Sequence, residues 1–474
     1  MNSKYAWREV ARQGLPQRSA TQRAADFLEI YGLYDEASAQ EQASRCILCP
    51  NPNCVRGCPL CNPIPAWMQL TAEGRFLEAA ALMGSSTNMA EICARLCPSD
   101  HLCEGACLLD CVSEPVSIRA LEQFLVEYAF RHGKLDAATA PPNGKKVAVV
   151  GSGPGGLACA EELARKGYSI TIFDSELVPG GLLVNGVPAF KVDRSIVQRR
   201  IDLLKQCGVL FRLGVKLWEE VSLDHLRVEF GAVFLCTDWR KARPLSVPGA
   251  ELKGVVQALP FLLQKKTPIP LDLPQFDVAG RRVLVLGGGD TALDCARAAV
   301  RYGASQTVCM YRREESEMPC GEQEFRCAVE EGVQFVFRAA PVAVLGNDAG
   351  QVTGLRAIRT QPGPIDQTGR KSFQLRQGSQ FVVEADWIIP ALGFDSVPFA
   401  NVPGSTELAR NEWGGLRVDG NQMTSVPGVF AGGDLVSGPS PLLHTVRDAR
   451  RAALQIDAFS SGSRLASPAN PPVP

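Results

Sequence analysis

Two apolar runs that each end in a glycine-rich turn constrain the fold of this chain most strongly. The first run, KKVAVVG, is followed by a helical pattern and then by the run SITIFD. The second run, RRVLVLG, is followed by another helical stretch and by QTVCMYRR. Strand, glycine turn, helix and strand in this order form the unit that binds dinucleotides in parallel sheets. We therefore predict an α/β fold with two Rossmann-like dinucleotide-binding domains.

The first unit carries the spacing Gly151-x-Gly153-x-x-Gly156 directly after its strand. Gly151 allows a tight turn, Gly153 lets the backbone approach a pyrophosphate, and Gly156 lets the helix pack closely on the strand. Asp174 ends the next strand, where a carboxylate accepts hydrogen bonds from ribose hydroxyls. A purely structural turn is the alternative, but the strand, the helix and the terminal acid favour a dinucleotide site.

The second unit carries Gly287-x-Gly289-x-x-Ala292, in which alanine replaces the third glycine. Where the first unit ends in an aspartate, this unit ends in Arg312 and Arg313. Guanidinium groups bind a ribose 2′-phosphate in a bidentate manner, whereas a carboxylate would repel it. A solvated charge cluster is the alternative, since the segment RREESE is charged throughout. We predict that the second site takes NADPH rather than NADH.

A chain with both sites is predicted to be a flavoprotein that holds FAD and receives hydride from NADPH. The net charge of −1 and the lack of long Lys or Arg runs argue against nucleic acid or a membrane surface as a partner. No apolar run approaches the roughly eighteen residues needed to span a bilayer. The N-terminus lacks the apolar core of a signal peptide. We therefore expect a cytoplasmic, reducing compartment.

Ten of the 17 cysteines precede residue 112. In a reducing compartment, such density more often serves metal or redox chemistry than disulfides. The two motifs are Cys46-x2-Cys49-x4-Cys54-x3-Cys58-Pro59 and Cys97-Pro98-x4-Cys103-x3-Cys107. Runs that end in Cys-Pro often send their last cysteine to the other cluster. We therefore predict one iron–sulfur site formed by Cys58, Cys97, Cys103 and Cys107, which leaves Cys46, Cys49 and Cys54 one ligand short.

Structural zinc is the alternative for these thiols, because a thiolate tetrad also suits Zn²⁺. The neighbouring flavin site favours iron–sulfur clusters, since zinc cannot transfer electrons.

Residues 1–140 are predicted to be helical. Apolar residues recur at three- and four-residue spacing in ATQRAADFLEIYG, IPAWMQLTAEGRFLEAAALM and SIRALEQFLVEYAFRHGK. The segment AATAPPNG that follows is typical of a linker. Residues 461–474, at the low-complexity end of the chain, are predicted to be a disordered tail.

Beyond these patterns, the chain resembles a known family over about residues 20–458. The segments that carry the resemblance are RCILCPNPNCVRGCP, ICARLCPSDHLCEGAC, GSGPGGLACA, GGLLVNGVPAFK, GGGDTALDCAR, YRREESEMP and FAGGD. They resemble the small subunit of NADPH-dependent bacterial glutamate synthase and the NADPH-oxidising half of dihydropyrimidine dehydrogenase. The resemblance implies a helical domain with two [4Fe–4S] clusters, and an FAD domain interrupted by an NADPH domain. The implied boundaries are 1–140 for the helical domain, 141–258 and 388–460 for the FAD domain, and 259–387 for the NADPH domain.

The resemblance also implies roles for single residues. It assigns FAD contacts to Gly181, Leu182, Lys191, Gly433 and Asp434, and NADPH contacts to Asp290 and Thr291. It places Glu122 as the missing ligand beside Cys46, Cys49 and Cys54, and a solvated carboxylate on a helix is the alternative for Glu122, which the sequence leaves open. Cys61, Cys93 and Cys111 then have no metal role. The chain departs from the family at Asp238 and Ala449, where glycine is expected.

The resemblance implies that electrons leave for a larger catalytic subunit, that of glutamate synthase. A pyrimidine-reducing partner or a ferredoxin-like acceptor is equally compatible with this chain. A redox-sensing nucleotide-binding protein with structural clusters is an alternative of another class, disfavoured because sensing needs no pair of clusters. The sequence leaves the acceptor, the direction of electron flow and the oligomeric state open.

Overall fold

The computed structural model describes residues 5–133, 139–237, 240–264, 275–365, 371–396, 407–412 and 414–462. Asp238 lies outside these residues, and so does the predicted disordered tail beyond Gly462. Among the described residues, the helices are too short or too polar to cross a membrane.

The helices are α1 (Ala6–Glu9), α2 (Ala20–Ala25), α3 (Glu36–Ser44), α4 (Asn53–Gly57), α5 (Ile64–Ala72), α6 (Phe76–Gly84), α7 (Ala90–Leu96), α8 (Ile118–Arg131), α9 (Pro154–Arg165), α10 (Leu182–Asn185), α11 (Arg194–Gln206), α12 (Leu223–Glu229), α13 (Ala258–Leu263), α14 (Asp290–Arg301), α15 (Glu322–Glu330), α16 (Asp434–Ser437) and α17 (Leu442–Ser460). The strands are β1 (Lys146–Val150), β2 (Ser169–Asp174), β3 (Leu210–Leu213), β4 (Ala232–Leu235), β5 (Arg240–Ala242), β6 (Arg282–Leu286), β7 (Gln306–Met310), β8 (Gln334–Val336), β9 (Ala339–Gly346), β10 (Val352–Ile365), β11 (Lys371–Glu384), β12 (Trp387–Pro390), β13 (Phe394–Ser396) and β14 (Val429–Ala431).

The N-terminal part of the chain is helical, as predicted. Most of its helices bury apolar side chains in one shared core, whereas Ile92 and Cys93 of α7 pack into the core of the first sheet. Trp67 and Leu121 are fully buried in the shared core, and the ring of Phe76 meets the ring of Phe124 edge-on. The segment ATQRAADFLEIYG is only partly helical, because α2 ends at Ala25 and the following residues run along the other domains.

The first parallel sheet has the strand order β14-β4-β1-β2-β3. Its central strand β1 aligns Val147 with Ile170 on one side and with Ala232 on the other. The apolar run KKVAVVG forms this strand because the strand is buried on both faces, which favours β-branched residues. Helices α9 and α17 pack against each other on this sheet. The predicted first dinucleotide-binding fold is thereby confirmed.

The second parallel sheet has the order β12-β6-β7-β8 and is built on the second apolar run. Helices α13, α14 and α15 share one core on this sheet. An antiparallel sheet of order β11-β10-β9 packs beside it through a separate core that includes Leu284 and Leu355. The predicted α/β class with two Rossmann-like units is confirmed.

The chain crosses between the two sheets at places that differ from the implied boundaries. The crossing strands β5 and β13 pair with each other in antiparallel fashion, with Phe394 opposite Ala242. Leu245 already packs into the core beside the second sheet, and Val255 bridges to Ile388 of β12. These crossings differ from the implied boundaries at 258/259 and 387/388, which stay a prediction. The second unit begins just after residue 242 and ends just before residue 394, since pairing and core packing decide the crossing.

A buried ion-pair network joins the helical part to the first sheet. Arg200 of α11 lies 2.6 Å from Glu91 of α7 and 2.6 Å from Glu161 of α9. All three side chains are at most 5% exposed. The amide of Asn88 also donates across this contact to the carbonyl of Ala158 at 2.8 Å. The two parts are therefore packed as one body.

Replacing Arg200 with alanine should destabilise the protein strongly, because it leaves the buried carboxylate of Glu91 without its cation and Glu161 with only the partly exposed Arg165. Removing one partner of a buried pair costs about 3–5 kcal/mol. Urea unfolding of the purified protein, followed by circular dichroism, measures the change. Arg75→Ala is the control, since Arg75 pairs with Glu78 on the exposed surface and its loss should leave the midpoint unchanged. Equal effects of the two substitutions would contradict this account of the joint.

Candidate functional site

The glycine-rich loop after β1 has the shape that a bound pyrophosphate requires. Gly151 has φ +104°, and a Cβ there would lie 2.3 Å from the carbonyl oxygen of Cys236. A Cβ at Gly156 would lie 1.8 Å from the carbonyl oxygen of Gly151, so that only glycine allows α9 to approach β1. Gly153, by contrast, has no atom within 4 Å of its Cβ position. The open space faces the N-terminus of α9, where free N–H groups favour a phosphate.

Asp174 lies at the end of β2 beside this loop. Its Oδ2 accepts hydrogen bonds from the backbone N–H of Ser152 at 2.6 Å and from the Ser152 hydroxyl at 2.5 Å. The Ser152 hydroxyl also accepts a hydrogen bond from the N–H of Gly180 at 3.0 Å. Asp174 thus orders the loop, in addition to its predicted contact with a ribose. The role of Ser152 was not predicted from the sequence, although its position between the first two glycines of the motif indicates a place in this loop.

The segment GGLLVNGVPAFK packs against the same loop. Gly181 has φ +53°, and its Cβ would lie 2.8 Å from the Cα of Gly153. Helix α10 begins at Leu182, immediately after this contact. The segment therefore reaches the position where the rest of an FAD molecule would continue from its pyrophosphate.

Gly433 and Asp434 reach the same edge from β14, the neighbour of β4. Gly433 has φ +66°, and a Cβ there would lie 2.9 Å from a methyl carbon of Thr445 on α17. Asp434 Oδ1 accepts hydrogen bonds from the N–H and the hydroxyl of Ser440, both at 3.2 Å. The structure thus brings together the residues predicted for FAD, apart from Lys191. Ala449, one of the departures from the family, is fully buried in α17.

Lys191, which was predicted to contact FAD, lies against helices of the second sheet. Its Nζ lies 3.2 Å from Asp294 Oδ1 and 3.6 Å from Glu324 Oε2, and its side chain is 10% exposed. Burial by itself lowers the pKa of Lys191, but the two carboxylates outweigh it and raise that pKa above its ordinary value. The predicted contact of Lys191 with FAD stays a prediction, and the structure pairs its charge with acids of the second sheet's helices.

The glycine-rich loop of the second sheet repeats the geometry of the first. Gly287 has φ +149°, and its Cβ would lie 2.4 Å from the carbonyl oxygen of Ala391. Gly289 precedes α14, whose first two residues are Asp290 and Thr291. The third position of the motif is the fully buried Ala292. These residues fit a second pyrophosphate at a helix N-terminus.

Two arginines follow β7 at the edge where an adenosine ribose would lie. Arg312 is exposed, and its guanidinium lies 4.9 Å from the centre of the Phe373 ring. Arg313 is partly buried, and its Nε donates to the carbonyl of Lys371 at 3.0 Å. The neighbouring strand β11 thus orients both groups. Positive charge at this edge fits a 2′-phosphate.

The cysteines of the helical part surround two separate cavities. The ligand candidates around the first cavity are Cys46, Cys49, Cys54 and Cys107. Those around the second cavity are Cys58, Cys97, Cys103 and Glu122, with Cys93 beside them. Cys107 and Glu122 have therefore exchanged places relative to the prediction. Cys58 does cross to the second group, as predicted.

The exchange has a geometric cause. The short 3₁₀ helix Leu108–Cys111 follows Cys107 directly and turns the chain towards the loop that holds Cys46 and Cys49. Helix α8 places Glu122 one turn after Ile118, a residue that lines both cavities. The crossover is therefore reciprocal. Cys58 of the first sequence motif lines the second cavity, and Cys107 of the second motif lines the first cavity.

Burial perturbs the acidity of these ligands. It raises the pKa of Cys46 and of Cys54 to about 12, and that of Cys58 to about 11. Burial likewise raises the pKa of Glu122 to about 8. Neutral thiols are thus favoured until a cationic centre replaces their protons. Among the described residues, no three or more His, Cys, Asp and Glu side chains are placed to hold a single metal ion. The donors ring cavities instead, which fits a multi-atom cluster.

Comparison with known proteins agrees with this geometry. Residues 23–134 match the family described as dihydropyrimidine dehydrogenase domain II, 4Fe-4S cluster. Residues 145–453 match the pyridine nucleotide-disulphide oxidoreductase family. Among solved structures, FprA from Mycobacterium tuberculosis in complex with NADPH has a TM-score of 0.57 at 19% identity, covering 68% of this chain and 85% of FprA. That likeness shows a shared fold.

Two curated relatives extend over nearly the full chain. The glutamate synthase [NADPH] small chain of Azospirillum brasilense is 41% identical over 453 residues, with 94% of each chain covered. The corresponding small chain of Escherichia coli K12 is 36% identical over 458 residues, with 95% of this chain and 97% of that protein covered. The resemblance seen in the sequence is thereby confirmed. The chain belongs to the family of glutamate synthase small chains and is an NADPH-dependent FAD and iron–sulfur oxidoreductase.

Proposed function

We propose that this chain is an electron-input subunit, which takes electrons from NADPH through FAD to two [4Fe–4S] clusters and on to a larger partner, the large subunit of glutamate synthase. The observation that carries the proposal is the convergence of four built sites in one body. Two glycine-rich loops lie at helix N-termini, and two four-donor groups lie in the attached helical part. FAD, when bound, would accept both electrons of a hydride and release them one at a time. Iron–sulfur clusters transfer single electrons of this kind.

Each of the four sites is formed by its own set of residues. The loop from Gly151 to Gly156 and the segment from Gly180 hold the flavin cofactor, with Asp174 at its ribose. The loop from Gly287 and the arginines after β7 hold NADPH. The two donor groups each supply four ligands, three cysteines with Glu122 in one group and four cysteines in the other. Positioning does most of the work, since hydride transfer needs no side-chain acid or base.

The two donor groups differ in their distance from the FAD-binding part. Cys58 and Cys97 share a core with Val147 of β1, and Leu443 of α17 lines the cavity of their group. Cys46, Cys54 and Cys107 pack instead into the core of the helical part. We infer that the group with Glu122 lies on the flavin side. The other group then lies on the exit side, from which electrons pass to the partner.

Exposed apolar residues near the exit side support a partner. Leu108 lines the cavity of the first group and is 41% exposed. Leu48 lies between two ligands of that group and is 37% exposed, and Val112 is 68% exposed. The described residues form two nucleotide-binding units and the helical part, which leaves the partner to supply the site for a further substrate.

The purified protein should contain about one FAD and about eight irons per chain, and should reduce artificial acceptors with NADPH in the absence of any partner. Glutamine and 2-oxoglutarate should give no glutamate with this chain alone. Metal and sulfide analysis, flavin spectra and dye reduction measure these points. Zinc without iron or acid-labile sulfide would refute the electron-transfer function, and glutamate formed by the isolated chain would refute the input-subunit proposal.

Cys107→Ala should perturb the cluster held by Cys46, Cys49 and Cys54 and spare the other cluster, because Cys107 lies in the first group. Glu122→Ala should perturb only the cluster of Cys58, Cys97 and Cys103. Electron paramagnetic resonance of the reduced protein distinguishes the two signals. Cys93→Ser is the control, since Cys93 lies beside the second group and is not proposed as a ligand. If Cys93→Ser alone abolishes the second signal, Cys93 and not Glu122 is the fourth ligand.

Replacing both Arg312 and Arg313 with alanine should weaken NADPH binding and leave NADH binding nearly unchanged. The loss of one charge-assisted phosphate contact costs roughly 1.5–3 kcal/mol. Equilibrium titration with both nucleotides measures the ratio. Arg227→Ala removes an exposed arginine from α12, beside the first sheet, and should leave both affinities unchanged. An equal loss for NADPH and NADH would mean that the two arginines hold the fold rather than the phosphate.

A further inference from the structure

Lys191 lies where three parts of the molecule meet. It directly follows Phe190, whose carbonyl accepts a hydrogen bond from the N–H of Ile30 at 3.1 Å. The ring of Phe190 lies 4.7 Å from the guanidinium of Arg297 and 4.0 Å from that of Arg301. The residue before Lys191 is therefore held by the helical part on one side and by α14 on the other.

The ammonium group of Lys191 links the flavin-lining segment to the second unit by ion pairs. Asp294 lies on α14, one helical turn after Asp290 at the glycine-rich loop. Glu324 lies on α15, and its Oε2 also lies 2.6 Å from Nη1 of Arg297. One ammonium group thus bridges the segment that packs on the first glycine-rich loop and the helix that begins at the second.

Apolar packing is not continuous where the flavin-lining segment meets the second unit. A cavity of about 310 Å³ is lined by Lys191, Asp290 and Glu324 from the two nucleotide-binding units and by Cys97 from the helical part. Where packing is interrupted, the ion pairs fix the relative position of the two sides. Arg119 and Glu322 are further charged groups at the same cavity.

We propose that Lys191 is a positioning residue for hydride transfer, which holds the NADPH-binding loop at a fixed distance from the flavin-lining segment through Asp294 and Glu324. The inference rests on the proposed function of the two loops. Lys191 supplies neither a proton nor an electron, because one C–H bond of NADPH breaks and its hydrogen carries both electrons to the flavin. A misplacement of about 1 Å is enough to slow such a step by about 100-fold.

The test is anaerobic stopped-flow reduction of the bound flavin by NADPH and by NADPH deuterated at the transferred position. Lys191→Met should lower the limiting rate by about 10- to 100-fold and raise the isotope effect, because hydride transfer becomes slower. The half-saturating NADPH concentration should change by less than about threefold, since the phosphate contacts remain. Lys191→Arg should restore most of the rate because it keeps the charge.

Asp294→Asn removes the other side of the contact and should lower the limiting rate by about 3- to 10-fold. It also carries the test if Lys191→Met does not fold. Lys166→Met is the matched control. Lys166 pairs with Asp457 at 2.7 Å within the first unit, and its loss should leave the rate unchanged.

Two outcomes overturn the inference. The first is a Lys191→Met protein, loaded with FAD, that reduces its flavin at the wild-type rate. The second is a slow Lys191→Met protein beside an Asp294→Asn protein of wild-type rate, which would mean that Lys191 acts on the bound cofactors directly. Failure of the wild-type protein to reduce its flavin with NADPH would instead refute the proposed function, so the two failures are distinguishable.

Discussion

A single buried carboxylate joins the parts of this molecule. Glu331, at the end of α15, is fully buried and lies 2.8 Å from Arg297 and 2.6 Å from Arg301, both on α14. Arg23, from the helical part, reaches the same carboxylate at 3.4 Å. Burial alone would raise the pKa of Glu331, but the arginines outweigh it and lower that pKa to about 2. Separation of the helical part from the second unit would leave the buried guanidinium of Arg23 without Glu330 and Glu331, whereas Glu331 would keep Arg297 and Arg301.

The features predictable from sequence are those that depend on neighbours in the chain. A β-branched run followed by Gly151 specifies a strand and a turn locally, and the helix after Gly153 follows from its own periodicity. The contrast between Asp174 and the arginines after β7 predicts different nucleotides for the two loops. This prediction requires only that the ends of two strands are located correctly in the sequence. For the same reason, the parallel sheets and the helical character of the N-terminal part were both predicted correctly.

The errors concern pairings between distant residues. The crossover of Cys58 was predicted from one Cys-Pro motif, but the reciprocal crossover of Cys107 depends on how a 3₁₀ helix folds back on a loop some fifty residues earlier. Lys191 was placed at the flavin because its segment lines the FAD site, whereas its partners lie more than a hundred residues later. The crossings between the two sheets depend on the pairing of β5 with β13, two strands about 150 residues apart in the chain. No local pattern contains these relations.

The proposed function depends on the same distant pairings. Each glycine-rich loop can bind its nucleotide within its own unit, but hydride transfer requires the two loops to face each other at a fixed distance. The contacts that join the flavin-lining segment to the second unit are ionic, among them Lys191 with Asp294 and Lys191 with Glu324. Such contacts fix direction as well as distance, which apolar packing alone does not. In the proposed function, the charged residues at this contact align the two nucleotides, and the glycine-rich loops hold them.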